Sequence, residues 1–400
     1  MKDKTLLTIV YDFKSGEGKK KFIEGIKYTQ NLASSKNHFY IVDLSNFYFG
    51  KNFEFDAEIK KLGITYFKPR NIFELYQFTK NKSVYTLGLD NCNYKLLYIF
   101  IITNLLKIKL IFINYFGFFP QSDYNRKFKR LNAFLKYSYQ RFNYFFFRIL
   151  SILRITSRIH LCFEASESRI RNIKNSFSYK IDKKLNLKIF SYMENIYRIN
   201  SIYYDKFQSK EIKNESKYII FVDNGFDHPD RVNNDVKVTE KFRNNYYKNL
   251  YSFLLNLKKI YNLDLLYCKH PKAYYPQNAY FDLIKKNFIK SSVSTFNLIK
   301  KSDIVIFTET SLINQIILLK KKIILLNSKY IGSYCESKLK SIKNEIDLFS
   351  ITLENFKDFN KEYLDGEMLK KIKHYEEYIK NNLCHEKEIK SSNQIKKNLI

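Results

Sequence analysis

Tryptophan is absent from this 400-residue chain, and proline and glycine number only 5 and 10. Lysine, asparagine, isoleucine, phenylalanine and tyrosine are overused in their place, the imprint of an AT-rich coding sequence. Cysteine is sparse as well: Cys92, Cys162, Cys268, Cys335 and Cys384 are scattered, odd in number and without CxxC spacing. That pattern argues against a disulfide framework or a zinc site and fits a reducing cytoplasm. No P-loop, GxSxG or GxGxxG is present, which argues against hydrolases and dinucleotide enzymes. Long apolar runs are missing too. The nearest, Leu96 to Phe119, is broken by Lys107 and Lys109 and diluted by Asn104 and Asn114. A membrane span needs roughly 20 apolar residues with few charges. The stretch divides better into a buried helix, Tyr94 to Leu106, and a strand, Lys109 to Asn114. The opening MKDKTLLTIVYDF has too short an apolar run for a signal peptide and reads as a first strand. A soluble or peripheral protein is expected.

What is present points to packed α/β domains. The hydrophobic fraction of 45% suffices for globular cores, and the length suits two of them. Lys+Arg is 70 against 39 for Asp+Glu, a net charge of +31. Such a field favours an anionic partner: nucleic acid, an anionic membrane face or phosphorylated substrates. Coding bias accounts for part of it, the charges are dispersed, and no nucleic-acid module is recognisable, so no nucleic-acid partner is expected.

In the first half, strand-like and helix-like segments alternate. Strands are expected at Leu6–Tyr11, His38–Asp43, Gly63–Phe67, Ser83–Leu87 and Arg158–Glu164, with Leu187–Phe190 as the last. Helices are expected near Glu54–Leu62 and Asn71–Thr79. This alternation implies βαβ units and a parallel sheet. Lys127–Thr156 is a long, aromatic, basic helix without one acidic residue. It suits either a membrane-surface helix or a core helix with a solvated basic face. Ser209–Lys217 reads as a linker. A second alternating region follows, with strands Tyr218–Val222, Leu263–Cys268, Asp303–Phe307 and Lys322–Leu326. Helices are expected at Val238–Tyr261, around Ala279–Phe288 and at Ser311–Leu319. From Lys338 the pattern is charged and helical. The domains expected are 1–210, 217–335 and a helical tail, 336–400.

Three strand ends in the second region carry polar groups, as open α/β sheets do where they bind ligands. Thr308, Thr310 and Ser311 follow one strand and precede a helix, so they can cap it or cradle a phosphate. Lys269, His270 and Pro271 follow another. His270 can donate to phosphate or ribose, or act as an acid on a leaving phosphate; it can equally be a satisfied loop residue. Asp223, Asp227 and Asp230 stand in VDNGFDHPDR. They can supply a base, a nucleophile or hydrogen bonds to sugar hydroxyls, or form an Asx-rich turn around Asn224-Gly225. No DxD spacing stands here, and a metal site is not expected. Near the start, Asp12 and the Gly16/Gly18 loop follow the first strand and can approach a ligand or form a plain βα turn.

VDNGFDHPD, then CKHPK, then FTETSLIN resemble the motifs of bacterial surface-polysaccharide glycosyltransferases of GT-B-like architecture, those of capsule and lipopolysaccharide synthesis. The HP and Ser/Thr elements are also similar to those of bacterial sialyltransferases and Kdo transferases. The resemblance covers about residues 218–327. It implies that Asp223, His228 and Asp230 match the first motif, His270 and Pro271 the second, and Thr310 with Ser311 the third. In that family the HP histidine and the serines hold the phosphate and cytidine of a CMP-activated acid sugar. Two departures stand out. No acidic D/E-D/E-G motif lies in the N-terminal half, and Glu309 sits inside the Ser/Thr cluster, where phosphate would favour a neutral or basic neighbour.

The resulting expectation is two Rossmann-like domains facing a cleft. The second would bind a nucleotide sugar, CMP-linked, as substrate and without a further cofactor. Lys269, His270, Pro271, Thr308, Thr310 and Ser311 would hold its phosphate, with Asp223, Asp227 or Asp230 as catalytic carboxylate. Asp12, Gly16, Gly18 and His228 would contact the sugar or a glycan or glycolipid acceptor. The enzyme would sit in the cytoplasm against the inner face of the anionic cytoplasmic membrane. The rivals are a UDP- or GDP-sugar transferase on the same fold, a nucleic-acid-binding protein and a non-catalytic polysaccharide-assembly protein.

Overall fold

The computed structural model describes residues 4–10, 37–44, 61, 64–80, 83–87, 94–114, 117, 131–189, 193, 195–208, 218–224, 226, 239–270, 278–288, 295–356 and 359–399. The chain divides into two compact units. One comprises Met1–Gly117, Tyr137–Ile202 and Cys384–Ile400; the other comprises Phe118–Lys136 and Tyr203–Leu383.

The first unit holds β1 (Lys4–Val10), β2 (Asn37–Asp43), β3 (Thr65–Phe67), β4 (Ser83–Leu87), β5 (Lys109–Asn114), β6 (Ile159–Glu164) and β7 (Ile196–Arg198). All pair in parallel, in the order β3-β2-β1-β4-β5-β6-β7. The 3-2-1-4-5-6 part is the doubly wound Rossmann order. Among the connecting helices are α1 (Ile72–Thr79), α2 (Tyr94–Leu105), α3 (Leu131–Ile152), α4 (Glu167–Asn175) and α5 (Phe177–Lys184). Parallel strands are covered on both faces, so they read as apolar runs rather than alternations. Val42, Phe100, Leu110, Phe147, Ile159 and Cys162 form one buried cluster between sheet and helices.

The last strand of this sheet is not where the sequence pattern put it. Leu187–Phe190 was expected; within that stretch Leu187 and Ile189 are buried, yet they lie in a connection. The carbonyl of Lys188 accepts from the Ile159 amide at 2.9 Å, and that of Leu187 from Ser151 Oγ at 3.1 Å. The φ of +50° at Lys188 breaks the extended path a ladder needs, and the edge falls to Ile196–Arg198. An apolar pattern records burial and cannot distinguish a buried connection from a strand.

In the second unit are β8 (Tyr218–Val222), β9 (Asp264–Cys268), β10 (Ile304–Phe307), β11 (Lys322–Asn327) and β12 (Ser350–Thr352), all parallel, in the order β12-β11-β10-β8-β9. Counted from β8 this is 2-1-3-4-5, the second common doubly wound order. The helices are α6 (Ile202–Gln208), α7 (Glu240–Tyr261), α8 (Ala279–Phe288), α9 (Thr295–Lys301), α10 (Ile313–Leu318), α11 (Ser333–Glu345), α12 (Lys361–Ile372) and α13 (Tyr375–Asn382), and the chain then returns to the first unit with α14 (Ser391–Leu399).

Helix α7 shows how the sequence sets an element. Thr239 accepts the Phe242 amide at its start, and Asn262 closes its end in the left-handed region at φ +49°. Tyr246, Tyr247, Leu250, Phe253, Leu254 and Leu257 recur at three- and four-residue spacing and are all buried.

Beyond Lys338 the chain is helical, as its charge pattern indicates, but also contributes β12, too short and too mixed to stand out. The final segment belongs to the first unit, where fully buried Asn200 ties it down. Its amide group donates to the Glu386 and Ile389 carbonyls, both at 2.7 Å, and its oxygen accepts the His385 and Glu386 amides at 2.6 and 3.0 Å. Among the described residues no helix is long and apolar enough to cross a membrane.

Candidate functional site

Strand register brings the polar strand ends together. Val222 of β8 stands opposite Phe307 of β10 on one side and Cys268 of β9 on the other. The next residues, Thr308, Asp223 and Lys269, therefore leave the sheet side by side, on strands roughly 4.8 Å apart. After them come Glu309, Asn224 and His270. Between β8 and β10 the strand order reverses, and at such a switch point the loops diverge and open a crevice at the carboxyl edge.

Asp223 is 3% exposed, and its amide donates to the Cys268 carbonyl at 3.0 Å. Asn224 donates to Cys335 Sγ at 3.4 Å, and its Oδ1 is buried with no partner among the described residues. Thr308 is 1% exposed, and its Oγ1 is equally without one. Glu309 places Oε1 3.0 Å from Lys338 Nζ, while its Oε2 is buried and likewise without a partner among the described residues. Burial alone would pull the Lys338 ammonium down, but the Glu309 carboxylate and Tyr334 together outweigh it and hold the ammonium above its ordinary value. Buried polar atoms are nearly always hydrogen-bonded, so three orphaned oxygens at one strand edge mark a place built for donors from a ligand or water.

Two further features adjoin. Helix α11 starts after Gly332, at φ +80°, without a side-chain cap, so its first amides are not taken up by a capping side chain. Cys335, in its first turn, is the residue Asn224 touches. Lys269 is exposed, with its ammonium 5.7 Å from the centre of the Phe281 ring, and His270 is half-buried.

The expected capping by the Ser/Thr cluster differs in detail. Thr310 Oγ1 accepts the Leu312 amide at 3.1 Å, a turn ahead of α10, and the cap position itself is Leu312, without a side-chain bond. The helix starts two residues later than the pattern indicates because the Thr310 turn competes for the amide. Ser311 is exposed. Thus Asp223, Lys269, His270, Thr308, Thr310 and Ser311 all belong to one edge of one sheet. Asp12, Gly16, Gly18, Asp227, His228, Asp230 and Pro271 lie outside the described residues.

Sequence reasoning missed Lys338, Asn224 as an acceptor, and the α11 start. Lys338 accounts for Glu309, since the cation beside it neutralises the charge that otherwise stands oddly among phosphate-binding groups. Only Gly332, a lone glycine before a helical pattern, left a readable signal.

The carboxyl edge of the first sheet also carries buried acids, each held by the protein. Asp43 accepts from Tyr66 at 2.6 Å and lies 3.5 Å from Lys68. Glu164 accepts from Asn114 at 2.6 Å and from the Ser166 amide at 3.1 Å, and its other oxygen faces Arg169 Nε at 3.3 Å. Burial raises the Glu164 carboxyl above its usual range despite these partners.

No protein-family model matches the sequence, and no curated protein does. Among solved structures the chain is similar to a glycosyltransferase from Rickettsia africae ESF-5, at 16% identity over 99% of this chain and 97% of that one, with a TM-score of 0.45. It is similar to a putative UDP-N-acetylglucosamine 2-epimerase from Listeria monocytogenes at 9% identity over 99% and 94%, TM-score 0.48. It is also similar to MurG from Acinetobacter baumannii at 9% identity over 99% and 98%, TM-score 0.43. At this distance no residue role passes from those proteins to this one.

Proposed function

We propose that this chain is a glycosyltransferase of GT-B-like architecture that moves a sugar from a nucleotide-activated donor to a surface-glycan acceptor. The observation that carries the reading is the row Thr308–Asp223–Lys269 at the β8/β10 switch point, backed by the orphaned oxygens of Asn224, Thr308 and Glu309. These acceptors suit the hydroxyl and amino hydrogens of a nucleotide sugar. The donors and cations around them, His270, Lys269, Thr310 and Ser311, suit its phosphate, where negative charge develops as the sugar departs. Pro271 stiffens the HP turn. Asp223 is the first choice of base, with Asp227 and Asp230 behind it. Asp12, Gly16, Gly18 and His228 serve the sugar or acceptor. The donor is a CMP-linked acid sugar by its motifs, and no metal is invoked. The enzyme works at the cytoplasmic face of an anionic membrane.

One observation favours the UDP- or GDP-sugar alternative. The buried Oε2 of Glu309 accepts a hydroxyl readily and repels the carboxylate of an acid sugar. Melting of the purified full chain with CMP, UDP and GDP separates the readings. A ligand at 100 times its Kd adds about 2.7 kcal/mol of stability, a rise of a few degrees. The nucleotide that gives it names the donor class, and His270→Ala should abolish the rise. No shift with any nucleotide would remove the proposal.

A further inference from the structure

A second charged recess lies in the first unit, at the amino ends of β5 and β6. Substrate sites of open α/β sheets form at the opposite, carboxyl edge, so this recess needs another explanation. It is a cavity of about 350 Å³ lined by Lys107, Lys109, Arg158, His160, Lys188 and Asn104, with no carboxylate among its described lining residues. The positive charge is concentrated enough to act on its own members. Burial lowers the His160 pKa, and Lys109 and Lys188 lower it further. Lys107 and Lys188 both sit in left-handed backbone, at φ +52° and +50°, where glycine or asparagine is the easier choice.

The cavity wall is tied to α3. Asn104 Nδ2 donates to the carbonyls of Arg154 and Ile155 at 2.8 and 3.2 Å, just past the end of that helix. Along α3 and its last turn, Phe142, Phe145, Phe146, Ile149, Ile152 and Leu153 form a stripe at helical spacing. They are 64, 58, 36, 38, 51 and 60% exposed. The other face is spent on the core, through Phe147 and Ser151, and Arg148 is engaged by buried Asp182 at 2.8 Å. Six large apolar side chains in one exposed row are more than a soluble surface carries without purpose. Arg141 and Arg154 rim the row, and no acidic residue occurs between positions 124 and 163. An apolar stripe flanked by Arg141 and Arg154, beside a recess rich in basic side chains, is complementary to an anionic bilayer.

We propose that this face docks on anionic phospholipid, with the stripe entering the headgroup–acyl boundary and the cavity holding a headgroup phosphate. The idea rests on the membrane-surface part of the reading above and gives it a place and a ligand class.

The test is flotation of the full chain with phosphatidylcholine vesicles, with and without phosphatidylglycerol. Binding is expected only with phosphatidylglycerol. Lys107→Glu with Lys188→Glu should weaken it at least about tenfold. The charge-matched control Lys259→Glu with Lys286→Glu, on the other unit, should stay within about twofold of wild type, since exposed charges outside the docking face are screened by salt. Phe142→Ser with Phe145→Ser should leave binding that high salt removes. Melting temperatures check folding. Should the reversals unfold the chain, Lys107→Gln with Lys188→Gln decides in the same direction. If the control loses as much as the cavity variant, bulk charge does the work and the cavity proposal falls. If inorganic phosphate stabilises the cavity while wild type ignores vesicles, the ligand is a soluble anion and the lipid assignment falls. A dimer that Phe142→Ser with Phe145→Ser abolishes, without vesicle binding, would assign the stripe to a second copy and overturn the proposal. Absence of any binding to anionic vesicles would also remove the membrane-surface reading. The nucleotide melting test is independent of all these outcomes.

Discussion

The carboxyl edges of the two sheets use the same ingredients to opposite ends. In the first unit, Asp43 and Glu164 are buried and engaged by Tyr66, Lys68, Asn114, Ser166 and Arg169; Glu164 Oε2 alone makes no hydrogen bond among the described residues, and Arg169 pairs its charge at 3.3 Å. In the second, Asn224, Thr308 and Glu309 each keep a buried oxygen without a partner among the described residues. A saturated polar edge rigidifies a fold; an unsaturated one costs stability until something fills it. Polar residues at strand ends are therefore no evidence of a site by themselves. What discriminates is how far the protein has already satisfied them: one oxygen on the first edge lacks a hydrogen bond among the described residues and is ion-paired, against three on the second.

The sharpest way to break this contrast is Lys338→Met. Removing the cation leaves Glu309, 13% exposed, as an uncompensated carboxylate, and should cost about 3 kcal/mol in urea unfolding. A cost near zero would mean that Glu309 is already solvated and that the second edge is no crevice.

Smaller and of opposite sign on the two edges is a hydroxyl deletion. Ser166 caps α4 by accepting the Arg169 amide at 3.2 Å, so Ser166→Ala should destabilise by about 1 kcal/mol. Thr308→Val removes an orphaned hydroxyl at constant shape. It should leave the unliganded protein equal or up to about 1 kcal/mol more stable, while erasing nucleotide-induced stabilisation. If Thr308→Val destabilises as Ser166→Ala does, the two edges are alike.

The smallest effect is one of pH, at the segment that returns to the first unit. Burial, then Arg198, lowers the His385 pKa against the opposing pull of Glu386 and Glu167. The folded state thus takes up its proton less readily than the unfolded chain. Stability should fall as pH drops through the ordinary histidine range, near 6.5. His385→Gln should flatten that slope slightly in unfolding curves measured between neutral and mildly acidic pH.

Much of the architecture was legible because parallel strands buried on both faces announce themselves. IIFV, LLYC and IVIF carry no alternation and so read as buried strands, although LLYC of β9 lies at the sheet's edge. Helix α7 was legible through its repeating buried row and its threonine cap. Edges were less so. Ile196–Arg198 and Ser350–Thr352 are three residues each, half-buried and mixed, whereas Leu187 and Ile189 mimic a strand simply because they are buried. Of the candidate site, each strand end was readable alone.

The sequence by itself determined the local material: which runs must be buried, where polar groups follow them, and a charge that is overwhelmingly positive. Those properties depend on side-chain chemistry and on spacing of a few residues. Only the tertiary structure decided that β8, β9 and β10 are neighbours in register, that Lys338 answers Glu309 across 29 positions, and that the amino ends of β5 and β6 collect five basic side chains. Strand order and long-range pairing are set by how whole helices and sheets bury their faces against one another, and no window of sequence contains that information.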